Sequence, residues 1–316
     1  MGFKIVSIEI AFPKKFEYLN KSILKNQKND KINKIINTAG INKRYISSPN
    51  EDVISLSVAS AKKSLKKIDK NKIGFIIFVT QTSPYKLPTA ACIMQNELGL
   101  PENVFATDIN LGCSGFVYAL KLTESLINLY PDKDFGLIIC SDTYTKYIKK
   151  NNQSCRPIFS DASASIAVKR TKKKYTGPFN FGSDGSGYKD LILHNKSDNI
   201  FMNGAKIAIF TLKKIPNFIS AYINKERINI KKIKLIALHQ ASKYICDNIR
   251  KKLNINKKVF FNNYMEIGNT VSASIPILLK RADNKKLIKE NDEIIACGFG
   301  VGLSWGITKI KWIKIQ

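Results

Sequence analysis

The chain has 316 residues, 44% of them hydrophobic, which is enough for one large or two medium domains around a real core. No apolar run approaches about eighteen residues, and Met1–Phe12 gives way at once to Pro13, Lys14 and Lys15. Neither a membrane span nor a signal peptide is therefore expected, and the chain reads as cytoplasmic, with no membrane insertion. The formal charge is +28, but the lysines are scattered among Ile and Asn with no basic tail and no aromatic-interleaved stripe. That pattern argues against nucleic acid and allows attraction of an acidic partner or a phosphorylated cofactor. The six cysteines form no CxxC pair and the two histidines form no ligand cluster with them, so neither a zinc site nor a disulfide frame is expected.

Strand-like apolar runs alternate with amphipathic helical stretches, the pattern of an α/β fold. Taken in order, Ile73–Thr80 and Val104–Ile109 read as strands. Phe116–Tyr130 reads as a helix with Ala119, Leu122, Leu126 and Leu129 on one face, and Phe135–Cys140 as a strand. A polar run, Lys172–Lys174, followed by Gly177-Pro178 marks a boundary near Arg170–Gly177, giving halves of residues 1–172 and 173–316. The order then repeats: Ile233–Leu238 as a strand, Lys258–Asn263 as another, Ser272–Lys280 as a helix and Asp292–Cys297 as a strand. Matching runs lie about 157 to 160 residues apart, pairing Ile76 with Leu235, Cys113 with Thr270 and Ile138 with Ile295. A βαβ-type half used twice, packed about a pseudo-twofold axis, would turn both helix starts toward one crevice at the carboxyl ends of strands.

Three residues at such positions carry chemistry. Cys113 sits between Gly112 and Ser114-Gly115 at a strand-to-helix turn, where a helix N-terminus lowers a thiol's pKa and small neighbours admit a substrate. Read alone, it is as much a buried structural cysteine as a nucleophile. His239 leaves the strand Ile233–Leu238, and on its own is most simply a core histidine. Asn269 follows Gly268 and is by itself an N-cap. Together, Cys, His and Asn suggest activated-nucleophile catalysis. The last turn, Gly298-Phe299-Gly300-Val301-Gly302, allows close backbone approach and N–H groups free for an oxyanion.

With those residues in place, the sequence resembles β-ketoacyl-acyl-carrier-protein synthase III of the thiolase superfamily. The matching blocks run in order: TAGINKRYISSPNE (Thr38–Glu51), LPTAACIMQNELGL (Leu87–Leu100), DINLGCSGFVYAL (Asp108–Leu120), DGSG (Asp184–Gly187), LHQAS (Leu238–Ser242), GNTVSASIP (Gly268–Pro276) and GFGVGLSWG (Gly298–Gly306). They span nearly the whole chain. The resemblance implies a thiolase-like fold of two duplicated halves in a five-layer αβαβα arrangement, and a homodimer. It also implies a decarboxylative Claisen condensation of a primer acyl thioester with malonyl-acyl carrier protein through an acyl-Cys113 intermediate. His239 and Asn269 would stabilise the enolate, and the backbone N–H groups of Cys113 and Val301 would form the oxyanion hole. Leu87, Gly300 and Gly302 would contact substrate. Lys243, Arg250 and Lys251, with Lys252 beside them, would dock the acidic carrier protein. No cofactor or metal is implied; the thioesters arrive on carrier protein or coenzyme A.

The pattern departs from the family at several places. Where the family stacks adenine between a Trp and an Arg, this chain has Lys34 and Gln153. A further coenzyme-A-contacting Arg becomes Thr38, and an Arg after the His block becomes Tyr244. A glycine-rich block reads FSDASAS (Phe159–Ser165). Leu87 replaces an aromatic gate that, in the family, reaches across the dimer, which suggests a roomier acyl pocket. A primer borne on carrier protein is thus an alternative to acetyl-coenzyme A. Two other functions compete: a thiolase-fold acyltransferase acting on a hydroxyl or amine, and a non-catalytic carrier-protein-binding partner.

Overall fold

The structure is a computed structural model that describes residues 1–19, 30–194 and 197–315. In chain order the elements are β1 (Gly2–Ala11), β2 (Lys15–Tyr18), α1 (Asp30–Ala39), β3 (Lys43–Ile46), α2 (Val53–Ser64), β4 (Ile73–Val79), α3 (Ala90–Glu97), β5 (Phe105–Ile109), α4 (Gly115–Leu126), β6 (Phe135–Asp142) and β7 (Ala162–Thr171). There follow β8 (Thr176–Ser183), β9 (Leu191–Ile192), β10 (Phe201–Met202), α5 (Gly204–Lys225), β11 (Ile233–Leu238), α6 (Lys243–Leu253), α7 (Tyr264–Ile267), α8 (Ser274–Asn284), β12 (Glu293–Gly300) and β13 (Ser304–Lys311).

The two main sheets repeat one another. The first has the order β1-β7-β6-β4-β5 and the second β8-β13-β12-β11. In each, a parallel pair (β4 with β6, β11 with β12) is followed by two antiparallel pairings, and the first sheet adds β5 in parallel at its edge. The register agrees with the spacing in the sequence: Ile76 lies opposite Leu137 in one sheet and Leu235 opposite Ile294 in the other. This is a thiolase-like arrangement. Strand β4, IGFIIFV, is buried along its whole length because both faces of its sheet are covered. Ile73, Ile76 and Phe78 pack with α2 and α3, whereas Phe75, Ile77 and Val79 pack toward α4, α8 and the second sheet. On the far side, Ile236, Leu238, Ile295 and Cys297 pack against Ile215 and Ile219 of α5 and Ile245 and Ile249 of α6.

Local chemistry explains the packing of α2. Asp52 caps it through a reciprocal box with Ser55. Its inner face is small: Ser57 and Ser60 meet Ser163 at 3.2 and 2.9 Å, and Ser64 meets Ser165 at 3.1 Å. Ser163 and Ser165 of FSDASAS therefore form a hydroxyl ladder that draws α2 onto β7.

Two expectations are corrected. The helix over 116–130 ends at Leu126, and Leu122 and Leu129 are exposed, not part of its inner face. Helix α4 lies between the two sheets, so it buries a broader surface built from Phe116, Val117, Ala119, Leu120 and Thr123. Residues Lys258–Asn263 form no strand. A 3-10 turn occupies Lys257–Val259, and the backbone N–H of Asn263 donates to the side chain of Gln240 at 2.9 Å, so a side chain takes the place of a ladder partner.

Candidate active site

The nucleophile turn is held from both halves. Leu111 N–H donates to the Ile109 carbonyl and Gly115 N–H to that of Gly112, turning the chain from β5 into α4. From the other half, β12 presses against it. A methyl group on Gly298 would lie 2.6 Å from the Cys113 carbonyl oxygen, and one on Gly300 would lie 2.7 Å from Cys113 Cβ and 2.8 Å from Sγ. Glycine is required here for close approach, since neither residue has a positive φ. The hydroxyls of Ser114 and Ser304 meet at 2.7 Å and lock the same junction.

Cys113, His239, Asn269 and Gly300 line one cavity of about 630 Å³. Its walls are largely apolar, with Phe159, Leu191, Met202, Ile207 and Phe299. Its lining runs outward to exposed Lys34 and Tyr244, with Thr38 and Ser154 beside them. The duplicated turns thus converge. His239 follows β11, its N–H bound to the Cys297 carbonyl at 2.9 Å, and its ring meets Phe299 edge-on at 5.6 Å. Asn269 is fixed by its backbone to Ile158 and Ser160, and its Oδ1 accepts the Val271 N–H at 2.9 Å. It caps no α-helix; the amide oxygen closes a short turn, leaving the NH2 end for the cavity. Val271 follows at φ +53°, a region costly for a β-branched residue.

Charge at the site contradicts one expectation. The Cys113 thiol is pushed up to about 12, not down: burial dominates, the neighbouring Asp142 adds to it, and the N–H groups of Val301 and Cys113, which favour the thiolate, do not compensate. Those two N–H groups nonetheless point at the sulfur. Burial also depresses His239 to about 3, so its imidazole is neutral. Its Nδ1 is buried without a hydrogen-bond partner. An orphaned N–H costs more than an orphaned lone pair, which puts the proton on Nε2.

Other expected residues lie elsewhere. Val301 packs beside Cys113 in an apolar cluster, but Gly302, at φ +136°, serves the turn between β12 and β13 and does not line the cavity. Leu87 is 82% exposed in the single chain and also lies outside the lining. Lys243, Arg250 and Lys251 fall on α6, whose inner face is Ile245, Cys246 and Ile249; Lys243 pairs with Asp247 at 2.5 Å. Among the described residues, no group of three or more His, Cys, Asp or Glu is placed to hold a metal ion.

Sequence reasoning missed Asp142 and Tyr144. Asp142 ends β6, fully buried, and burial raises its carboxyl to about 7 against several hydrogen bonds that lower it. Its signal was an acid closing an otherwise apolar strand at the sheet's carboxyl edge. Tyr144 packs in the Cys113 cluster, with its ring 5.0 Å from that of Phe159, and its hydroxyl donates to Gln81 Oε1 at 2.7 Å.

Comparison with known proteins agrees with this geometry. Two family models match: 3-oxoacyl-[acyl-carrier-protein] synthase III over residues 107–185 and its C-terminal counterpart over residues 223–312. A β-ketoacyl-[acyl-carrier-protein] synthase III of Clostridium perfringens is 36% identical over 288 residues, covering 86% of this chain and 88% of that protein. The chain belongs to the β-ketoacyl-[acyl-carrier-protein] synthase III family. A Prochlorococcus marinus member is 30% identical over 98% of this chain and 99% of its own length. A crystal structure of a Burkholderia xenovorans 3-oxoacyl-(acyl-carrier protein) synthase superposes with a TM-score of 0.93 at 27% identity, covering 100% of this chain and 95% of that one. The chain is therefore a condensing enzyme of the transferase class. No helix among its described residues is long and apolar enough to cross a membrane.

Proposed function

We propose that this synthase III family member joins a primer acyl group to a malonyl thioester by decarboxylative condensation, with Cys113 as the acyl carrier. One observation carries the reading: neutral His239 and the amide of Asn269 converge with Cys113 on the same cavity. In the first half-reaction, Sγ forms a thioester with the primer carbonyl and the incoming carrier leaves as its thiol, taking the Cys113 proton. The N–H groups of Cys113 and Val301 are the donors for the tetrahedral oxyanion. In the second, the C–C bond to the malonyl carboxylate breaks and carbon dioxide leaves. The resulting enolate oxygen is held by His239 Nε2–H and the Asn269 NH2. The carbanion attacks the acyl-Cys113 carbonyl, the C–S bond breaks, and the thiolate regains a proton.

The pKa values fit that division of labour. A neutral donor strengthens its hydrogen bond as charge develops, worth ~3 kcal/mol for one such donor. A thiol at about 12 rests protonated, so its proton leaves with the departing carrier thiol in the first half-reaction. A simple acyl transfer to a hydroxyl or amine has no use for Asn269 facing the cavity.

The same reading assigns acyl carrier protein to the basic outer face of α6, with Lys243, Arg250 and Lys251 at the rim, and places a pantetheine arm in the cavity between Tyr244 and Cys113. It also assigns a homodimer, supported by the edge position of β5, with Phe105 39% exposed, and by exposed Leu87 and Tyr85. Incubation with carboxyl-labelled malonyl-acyl carrier protein and a primer thioester tests the function. Labelled carbon dioxide and a β-ketoacyl product are expected; a Cys113→Ala variant with full condensing activity would sink the assignment.

A further inference from the structure

Asp142 joins the two halves at the crevice. Its Oδ1 accepts the Gln81 N–H at 2.8 Å, with the hydroxyls of Thr82 and Thr80 at 3.3 and 3.4 Å, all from the segment leaving β4. Its Oδ2 accepts the Ser272 N–H at 3.2 Å and the Ser272 hydroxyl at 2.5 Å. Ser272 belongs to the second half, in the turn that begins at Asn269. Both oxygens thus face donors only. The two segments they hold also close on the residue before the nucleophile: a methyl at Gly112 would lie 2.4 Å from Gln81 Oε1 and 2.9 Å from Val271 Cγ1.

The turn needs an external clamp. Val271, between Asn269 and Ser272, is held at positive φ, where a β-branched residue does not rest unaided. Asn269 Oδ1 is tied to the N–H of that strained residue. The direction of the Asn269 NH2 group therefore depends on Val271 staying in place, and Val271 stays in place because Ser272 is bound twice to Asp142. Acyl transfer to Cys113 draws on the sulfur and backbone N–H groups, not on this amide.

We infer that Asp142 is a positioning residue for decarboxylation, acting through Ser272 to hold the Asn269 amide over the cavity. This rests on the condensation reading and assigns a role to a group that touches no substrate. In Asp142→Asn one amide NH2 must face a donor, so the clamp opens while side-chain volume is kept.

The test uses the full chain and separates two readouts: acylation of Cys113 by intact mass with a primer thioester that loads the wild type, and labelled carbon dioxide from malonyl-acyl carrier protein. Asp142→Asn should lower carbon dioxide release by at least about tenfold while acylation stays within about threefold. Ser272→Ala, which deletes one hydroxyl and keeps the carboxylate, should show a smaller loss of the same kind and carries the test if Asp142→Asn does not fold. In an Asn269→Ala background, Asp142→Asn should add nothing beyond about twofold. Unchanged release in both variants, equal losses of acylation and release, or a loss that multiplies with Asn269→Ala would each overturn the inference. A wild type that is acylated yet releases no carbon dioxide would sink the condensation reading itself, and the decarboxylation role with it, before any variant is compared.

Discussion

Replacing Gly300 by alanine should disable loading of Cys113 while sparing the rest of the site. The added methyl would lie 2.7 Å from Cys113 Cβ and 2.8 Å from Sγ, against the ~3.5–4.0 Å of an ordinary carbon contact. About 1 Å of overlap cannot be relieved by rotating the thiol, because Cβ itself is struck; the nucleophile turn or β12 has to move. Overpacking of this kind costs about 1–3 kcal/mol of stability. A 1 Å misplacement of a reacting atom costs roughly 10²-fold in rate. Acylation of Cys113, followed by intact mass against time, should therefore slow by roughly 10²-fold. Once Cys113 has been fully acylated, carbon dioxide release on adding a malonyl thioester, which draws on His239 and Asn269, should change by no more than about threefold. Wild-type acylation by Gly300→Ala would refute the claim that β12 seats the sulfur. Gly298→Ala is the contrasting case, since its methyl would meet the backbone at Cys113 and Ser114, and a loss of folded protein is expected instead.

Four further outcomes follow from the site's charge and shape. Within ordinary working pH, His239 at about 3 and Cys113 at about 12 do not titrate, but Asp142 at about 7 does; Cys113, Cys140 and Tyr144, the titratable groups facing it, are all raised by burial and neutral there. Below about 7 the protonated carboxyl points a proton at donors, so carbon dioxide release should fall as pH drops through that value, and Asp142→Asn should flatten the limb; a profile rising toward acid would contradict this. The stability contribution has the opposite sign: because the folded value is raised above 3.8, it is fully present below 3.8 and lost as pH rises through about 7, visible as a lower melting temperature toward pH 8 that Asp142→Asn abolishes. Tyr144→Ala removes a buried ring that packs in the apolar cluster of Cys113 and should open space behind the cavity for longer acyl groups, at a stability cost of about 3–5 kcal/mol; an unchanged chain-length profile by intact mass would show that this ring does not limit the acyl group. Lys243→Glu with Lys251→Glu should raise KM several-fold for carrier-protein substrates at low salt and leave KM for a pantetheine thioester unchanged; equal effects on both would move the docking face off α6.

Much of the fold was legible because its signals are local and repeated. The apolar run of β4 and the recurrence of Ile76 at Leu235 require nothing beyond spacing, and they placed the two helix starts on one crevice. Cys113, His239 and Asn269 were legible as a candidate site because each lies at a strand's carboxyl end or a helix start, within blocks whose order resembles one family. What depends on the second half could not be read. Leu122 and Leu129 have helical spacing, yet α4 is wedged between sheets and its inner surface is set by what lies on both sides. Lys258–Asn263 has strand composition, but Gln240 takes its hydrogen bond. The helix start argued for an acidic thiol, whereas burial by the opposing sheet raises it. Asp142 gave only an acid at a strand end; its partner Ser272 lies in the other half, 130 residues away.

The central claim is that Cys113 holds an acyl group that a decarboxylated malonyl unit then removes. Loading the enzyme with a labelled primer, isolating it, and adding carboxyl-labelled malonyl-acyl carrier protein tests that in one experiment. The account predicts label on the Cys113 peptide, discharged to a β-ketoacyl product with one carbon dioxide for each acyl group lost. Label on another residue, or discharge to water, a hydroxyl or an amine without carbon dioxide, would contradict it.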